Sequence, residues 1–365
     1  LLSIKKYLIW SVIFLLGNCV YAWSNDSVAS RRSFFVIPHA AYQQETNWAF
    51  GVAGGYYFKS NDISRISSVS GSADYTLLNQ FIFNLTPKIY LANKKWYFYT
   101  NLNFKKYPDT FFGTGNTPNN FKAGYTSRNF AFTVQPQYLL TQHVFVGAVL
   151  SFKAERIMAD TALENKKEYI FENFGPYGWS PYKQLSAGLT ISYDSRDNQF
   201  YPEKGLFIKS LFTISDKSWV SDYSLKEFSL DIRQYIPLWA NHTLAWQASM
   251  SGIFGRSGVP FQLLPTVGGR DVLRGFRQGM YRDNLMTVVQ TEYRLPLYKR
   301  LKAAVFCSVG DVMNSDSPAV EKLKVAYGAG FRYRLNDARV HLRLDVAGNN
   351  YGEKLQFYIT ATEAF

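Results

Sequence analysis

Four histidines, His39, His143, His242 and His341, are the side chains of this sequence best suited to exchange protons at neutral pH. Beside a serine and a polar orienting group, any of them would form the Ser-His-polar arrangement with which some membrane barrels hydrolyse lipids on their outer wall. No Gly-x-Ser-x-Gly elbow, zinc-ligand spacing or phosphate-binding loop accompanies them. We therefore expect no catalytic residue, metal or cofactor, and read the histidines as ordinary polar residues. A second candidate chemistry is that of a guarded charge. Arg274 stands in the run Arg270-Asp271-Val272-Leu273-Arg274-Gly275-Phe276, directly after Gly268-Gly269. The glycines allow a tight backbone path, so a loop carrying Arg274 can fold back on the protein. A guanidinium taken out of water then needs a carboxylate partner, because an unpaired interior charge is costly.

The elements that hold these residues are strands. Val340, Leu342, Leu344 and Val346 alternate with Arg339, His341, Arg343 and Asp345. Leu323, Val325, Tyr327, Ala329, Phe331 and Tyr333 alternate with Lys324, Ala326, Gly328, Gly330, Arg332 and Arg334. Repeated segments of about ten residues, apolar on one face and polar on the other, are the mark of a transmembrane barrel. The spacing predicts an all-β fold: a 16-stranded antiparallel transmembrane β-barrel over 33–365, with a long loop folded into the lumen. The expected strands are 33–42, 47–58, 63–76, 79–91, 95–106, 124–140, 143–157, 181–195, 203–216, 222–236, 241–256, 283–297, 299–312, 322–334, 338–347 and 353–365. Connections after even-numbered strands are mostly short, and several after odd-numbered strands are long, at 107–123, 158–180 and 257–282. That asymmetry assigns the short turns to the periplasm and the long loops to the exterior. Pro38 cannot donate to a ladder, so the first strand reads either as a loose seam against the last or as locally bulged. Trp96, Tyr97, Trp239 and Tyr298 suit an interfacial aromatic girdle.

Residues 1–22 read as an export signal, with Lys5 and Lys6, an apolar run from Tyr7 to Leu16, and cleavage after Ala22. The run is too short for a membrane helix, which needs about 20 residues. Leu16-Gly17-Asn18-Cys19 also loosely matches an acylation box, although Asn18 sits where a small residue is wanted. Residues 23–32 then form a short periplasmic segment. Without the signal one cysteine, Cys307, remains and excludes a disulfide framework. The net charge of +13 falls to +11 once Lys5 and Lys6 are set aside. In an exported chain, this excess points to anionic lipids or a charged lumen and away from nucleic acid.

The Arg274-Gly275-Phe276 run resembles the loop motif of the BamA/TamA superfamily of outer-membrane insertases and translocators. Three further stretches carry the resemblance. Tyr193 to Gly205 (YDSRDNQFYPEKG), with Asp194, Arg196, Asp197, Pro202 and Gly205, is similar to the family's periplasmic turn between the eighth and ninth strands. Glu292 to Pro296 (EYRLP) matches the motif after the loop, and Phe365 matches the family's assembly signal. The resemblance implies that Arg274 docks inside the barrel on acids of the twelfth and thirteenth strands. Glu292 fits the first, with lumen-facing parity. The second falls on Ser308, a departure from the family pattern. Asp311 has the wrong parity, which leaves Asp345 as a substitute. Parity turns Cys307 toward lipid. The chain reads as a short form lacking the family's periplasmic polypeptide-transport-associated domains. The resemblance implies protein insertion or translocation, or membrane remodelling, through a seam between the first and last strands of a bacterial outer-membrane barrel. Outer-membrane lipids, client polypeptides, periplasmic accessory proteins and the assembly machinery for its own insertion are the implied partners. A passive anion-favouring channel and a surface-exposed interaction protein remain as alternatives.

Overall fold

The computed structural model describes residues 32–43, 46–58, 66–91, 95–117, 123–159, 177–316, 322–335, 339–360 and 363–365. The expected export signal lies outside these residues, as do residues 23–31 and most of the 158–180 loop. Sixteen antiparallel strands form one sheet, each paired with its neighbours in chain order. They are β1 (Arg32–Gln43), β2 (Asn47–Phe58), β3 (Ser67–Thr76), β4 (Phe81–Leu91), β5 (Trp96–Phe111), β6 (Ala123–Leu139), β7 (Val144–Ala159) and β8 (Tyr182–Asp194), followed by β9 (Gly205–Ser215), β10 (Leu225–Pro237), β11 (Thr243–Gly255), β12 (Leu285–Tyr298), β13 (Leu301–Met313), β14 (Lys324–Arg334), β15 (His341–Asn349) and β16 (Gln356–Thr360). Every expected strand is present. Most boundaries move by one to four residues, and two move by five: β5 continues to Phe111, and β16 stops at Thr360. No helix among the described residues is long and apolar enough to cross a membrane; the strands cross it.

The wall is inverted relative to a soluble sheet. Leu189 is 67 % exposed, Tyr327 56 % and Phe331 51 %, while the polar Gln290, Arg332 and Arg343 are buried. An apolar outer face loses nothing in lipid, and the ladder satisfies the backbone groups that lipid cannot. Trp96, Trp239 and Tyr298 face outward. Tyr97 does not: consecutive strand residues face opposite sides, and its ring stacks inside on Tyr90 at 4.6 Å. Cys307 is exposed on the outer wall.

The lumen is filled from one side. Between β11 and β12, the loop over 256–284 enters the barrel and closes on itself through a short ribbon, Thr266–Val267 against Tyr281–Arg282. Its base, Phe261 and Leu264, packs on Phe111, Tyr125, Ile157, Leu225 and Ile253. Its tip, Leu273 and Phe276, packs on Met286, Val288, Val312 and Ala326 of β12, β13 and β14. β1 and β16 approach within 8 Å at Cα. Among the described residues no ladder joins them.

Candidate functional site

The tip of the loop meets the wall through charge. Arg274 is fully buried; its Nη2 donates to Glu292 Oε2 at 2.9 Å and its Nη1 to Asp345 Oδ2 at 2.7 Å. The guanidinium also lies 3.6 Å from the centre of the Phe306 ring. Glu292 reaches the lumen because it shares strand parity with Val288, Gln290 and Arg294, all buried. Asp345 arrives from β15, three strands away from β12, because the lumen is narrow enough there for one arginine to span both. Arg332 on β14 completes the arrangement: Nη1 donates to Asp345 Oδ1 at 2.5 Å, Nη2 to Glu292 Oε2 at 3.0 Å and Nε to Glu363 Oε2 at 2.9 Å. Arg343 reaches Asp271 and the Arg270 carbonyl on the loop. Buried charges are tolerated when both signs and the remaining hydrogen-bond capacity are matched. Here Arg274, Arg332 and Arg343 meet Glu292, Asp345, Glu363 and Asp271, which matches the signs, while Arg274 Nε, Arg343 Nη1 and Glu363 Oε1 have no hydrogen-bond partner among the described residues.

The backbone beside Arg274 is held as closely. Gly275 has φ +119°, and a Cβ there would lie 2.6 Å from the Gly348 carbonyl, so the tip can touch the wall only without a side chain. The Gly275 N–H donates to Tyr358 Oη, and its carbonyl accepts from Asn349 Nδ2. Ser308 is buried without a hydrogen-bond partner among the described residues. Asp311 is not drawn to Arg274; it is 2 % exposed and pairs with Lys324 and Asn116 near the outer end of the barrel. Arg332, Arg294, Phe306, Asn349 and Tyr358 escape sequence reading. Arg332 has visible lumen parity, but its height relative to Glu292 depends on the register of three strands.

The turn between β8 and β9 closes the opposite end. Arg196 forks onto Asp194 at 2.9 and 3.0 Å. Asp197 Oδ1 accepts the backbone N–H groups of Glu203 and Lys204, and Asp197 Oδ2 accepts from Arg339 at 2.8 Å. Burial opposes ionisation of Asp197, but these donors outweigh it and hold the carboxyl below its usual range. Gly205 has φ +111° and faces the Ser195 carbonyl, where a Cβ would clash. The turn thereby crosses the mouth. Phe200 meets Tyr57 on β2, while Tyr201 is fully buried against His341 on β15, with ring centres 4.0 Å apart. His341 is one of the four histidines. His39 contacts Asp74 at 2.6 Å, His143 the Asp194 carbonyl and His242 the Tyr293 hydroxyl. Each histidine has a different neighbour, and the described residues contain no cluster of three potential metal ligands.

Arg294 connects the two ends. Its Nε donates to Glu292 at 2.8 Å, its Nη1 to the Pro202 carbonyl of the turn, and its Nη2 to the main-chain oxygen of Phe365. Phe365 is 3 % exposed and packs in the lumen on Tyr235 and Ala245. Loop tip, the β8–β9 turn and residues 363–365 thus share one hydrogen-bonded network.

A 16-stranded antiparallel barrel with a loop folded into its lumen is the class of fold that this site defines. The chain belongs to the Omp85 superfamily, whose domain model matches residues 65–365. Its fold is similar to that of BamA from Haemophilus ducreyi lacking POTRA domains 1–3, with a TM-score of 0.61 at 14 % identity, over 90 % of this chain and 70 % of that one. It is also similar to CdiB from Acinetobacter baumannii, with a TM-score of 0.58 at 13 % identity, over 91 % and 60 %. By sequence it is similar to the chloroplastic outer envelope protein 39 of Arabidopsis thaliana, 26 % identical over 164 residues. That match spans 38 % of this chain and 45 % of the relative.

Proposed function

We propose that the barrel inserts or translocates polypeptides at a bacterial outer membrane by parting β1 from β16. The observation that carries this reading is that no ladder joins β1 to β16 among the described residues, whereas the fifteen other strand junctions are hydrogen-bonded. Two features support it. Pro38 lies in β1, where an absent N–H costs least if that edge is unpaired. The chain beyond β16 turns inward, with Glu363 and Phe365 bound in the lumen. The likeness to BamA and CdiB adds the family precedent. The loop is the barrel's internal brace: anchored on β12 and β15, it keeps that half of the wall rigid while the seam moves. Phe365 serves the assembly machinery before the barrel folds, since in the folded protein its ring is enclosed. Client polypeptides arrive with separate periplasmic proteins, and no catalytic step is involved.

The test is reconstitution of the purified chain in liposomes, with and without a periplasmic chaperone, and measurement of folding of an unrelated outer-membrane barrel. Faster folding than in empty liposomes is expected. An equal rate in both, together with large steady anion-selective steps in a planar bilayer, would replace this reading with the channel. The loop and the turn, which fill both ends of the lumen, weigh against that outcome.

A further inference from the structure

The outer wall carries cations where lipid should meet carbon. Lys106 on β5, Arg128 on β6 and Arg156 on β7 lie directly opposite one another across the two ladders. Lys183 on β8 follows one diagonal step away, opposite Ala154. All four are exposed. Adjacent strands are about 4.8 Å apart, so the three aligned residues fall within about 10 Å. Like charges set opposite each other on a sheet destabilise it; Asp222, whose Oδ2 accepts the Lys183 backbone N–H, is the carboxylate that lies beside them among the described residues. The three carboxylates of β4 to β8 all turn inward: Asp109 to the Tyr125 hydroxyl, Glu155 to Lys153 and Ser127, and Asp194 to Arg196. Among the described residues none of the four cationic head groups has a hydrogen-bond or ion-pair partner.

Their height on the wall is informative. They sit at the strand ends that lead into the long connections over 112–122 and 160–181. Just below, Phe104 is 42 % and Phe130 40 % exposed; their rings neighbour Phe81 and Phe152 at 6.0 and 6.4 Å. The other edge of this apolar strip is marked by Trp96, packed edge-on to Tyr138 at 5.1 Å. Eight residues separate Trp96 from Phe104, or about 20 Å of height in a strand tilted by about 40°. That is most of the apolar band of such a barrel, so the basic row stands at headgroup level of the outer leaflet.

We propose that this row binds the headgroup of a bisphosphorylated lipid of the outer leaflet, with acyl chains lying along the phenylalanines beneath. Charge complementarity selects the ligand. A phosphate monoester carries about −1.5 to −2 at neutral pH, so two of them match the four cations and one phosphodiester does not. The inference rests on the barrel's orientation in the membrane and not on the seam, which lies several strands away from β5.

Native mass spectrometry of the full chain in neutral detergent tests it, with bisphosphorylated lipid A, monophosphorylated lipid A and phosphatidylglycerol offered at equal mole fraction. Bisphosphorylated lipid A should be retained best, and phosphatidylglycerol least. Replacing the row (Lys106→Gln, Arg128→Gln, Arg156→Gln, Lys183→Gln) should weaken retention about a hundred-fold or more. The charge-preserving pair Arg128→Lys, Arg156→Lys should keep most of it. If the four-fold variant does not fold, judged by heat-modifiable migration, the pair Arg128→Gln, Arg156→Gln is read instead, with a loss of about ten-fold expected. Equal retention by wild type and the glutamine variants would overturn the proposal. So would phosphatidylglycerol binding as well as bisphosphorylated lipid A, or inorganic phosphate competing at matched concentration.

Discussion

At the scale of the residue, Arg274 is a bridge between two acids that already share a second arginine. Replacing it with alanine removes two charge-assisted bonds and leaves Glu292 and Asp345 with Arg332. We expect Arg274→Ala to cost about 3 kcal/mol or more, read as a lower temperature for heat-modifiable migration, and to raise single-channel conductance as the loop loosens. Unchanged behaviour in both would show that the pairing does not hold the loop. Asp197 makes a prediction about acid. Its carboxyl is depressed in the folded turn, so its contribution is complete above the unfolded value of about 3.9 and is lost as pH falls through the lower folded value. Asp197→Asn should therefore be less stable than wild type at neutral pH, and the gap should close only in strong acid. A thermal comparison of the two proteins from pH 7 down to about pH 2 measures this; a gap that stays constant through the acid end of that range would contradict it. Arg274 and Glu292 are legible in the sequence, one from its motif and the other from parity. The roles of Arg332 and Arg294 are not. Parity tells which way they face, and only strand register tells what they meet.

At the scale of the element, alternation locates all sixteen strands but overextends the last. The pattern Phe357, Ile359, then Glu363 and Phe365 continues with period two, yet β16 ends at Thr360. Continuing the strand would turn Glu363 outward with Phe357, toward the bilayer. Turning in gives its carboxylate Arg332 and gives Phe365 the ring of Tyr235. A partner from another strand overrides local periodicity. The β8–β9 turn shows the same limit: its motif is visible in the sequence, but not that Tyr201 fills the mouth between β12, β13 and β15. The Arg294 guanidinium lies 4.8 Å and the Lys302 ammonium 4.5 Å from its ring centre. Tyr201→Ala should lower stability by about 3 kcal/mol and admit proteases from the side that the turn covers. No change in access would mean that the turn does not close that end.

At the scale of the whole molecule, the barrel is asymmetric. One half, from β11 to β15, is braced by a buried charge network that ties loop, wall and turn together. The other half carries the seam at β1, without a ladder among the described residues, and the basic row stands farther round on β5 to β8. A wall of this kind can move at one place only if it is held firmly elsewhere, and membrane lipid bound near the rim would fix its orientation. The most direct test is a reversible lock on the seam. In a Cys307→Ser background, cysteine pairs placed along 34–40 of β1 and 356–360 of β16 can be oxidised to join the two strands after reconstitution in liposomes. With the disulfide formed, assisted folding of a client barrel should stop while heat stability is kept, and reduction should restore it. Undiminished client folding through an oxidised, fully locked seam would contradict lateral opening.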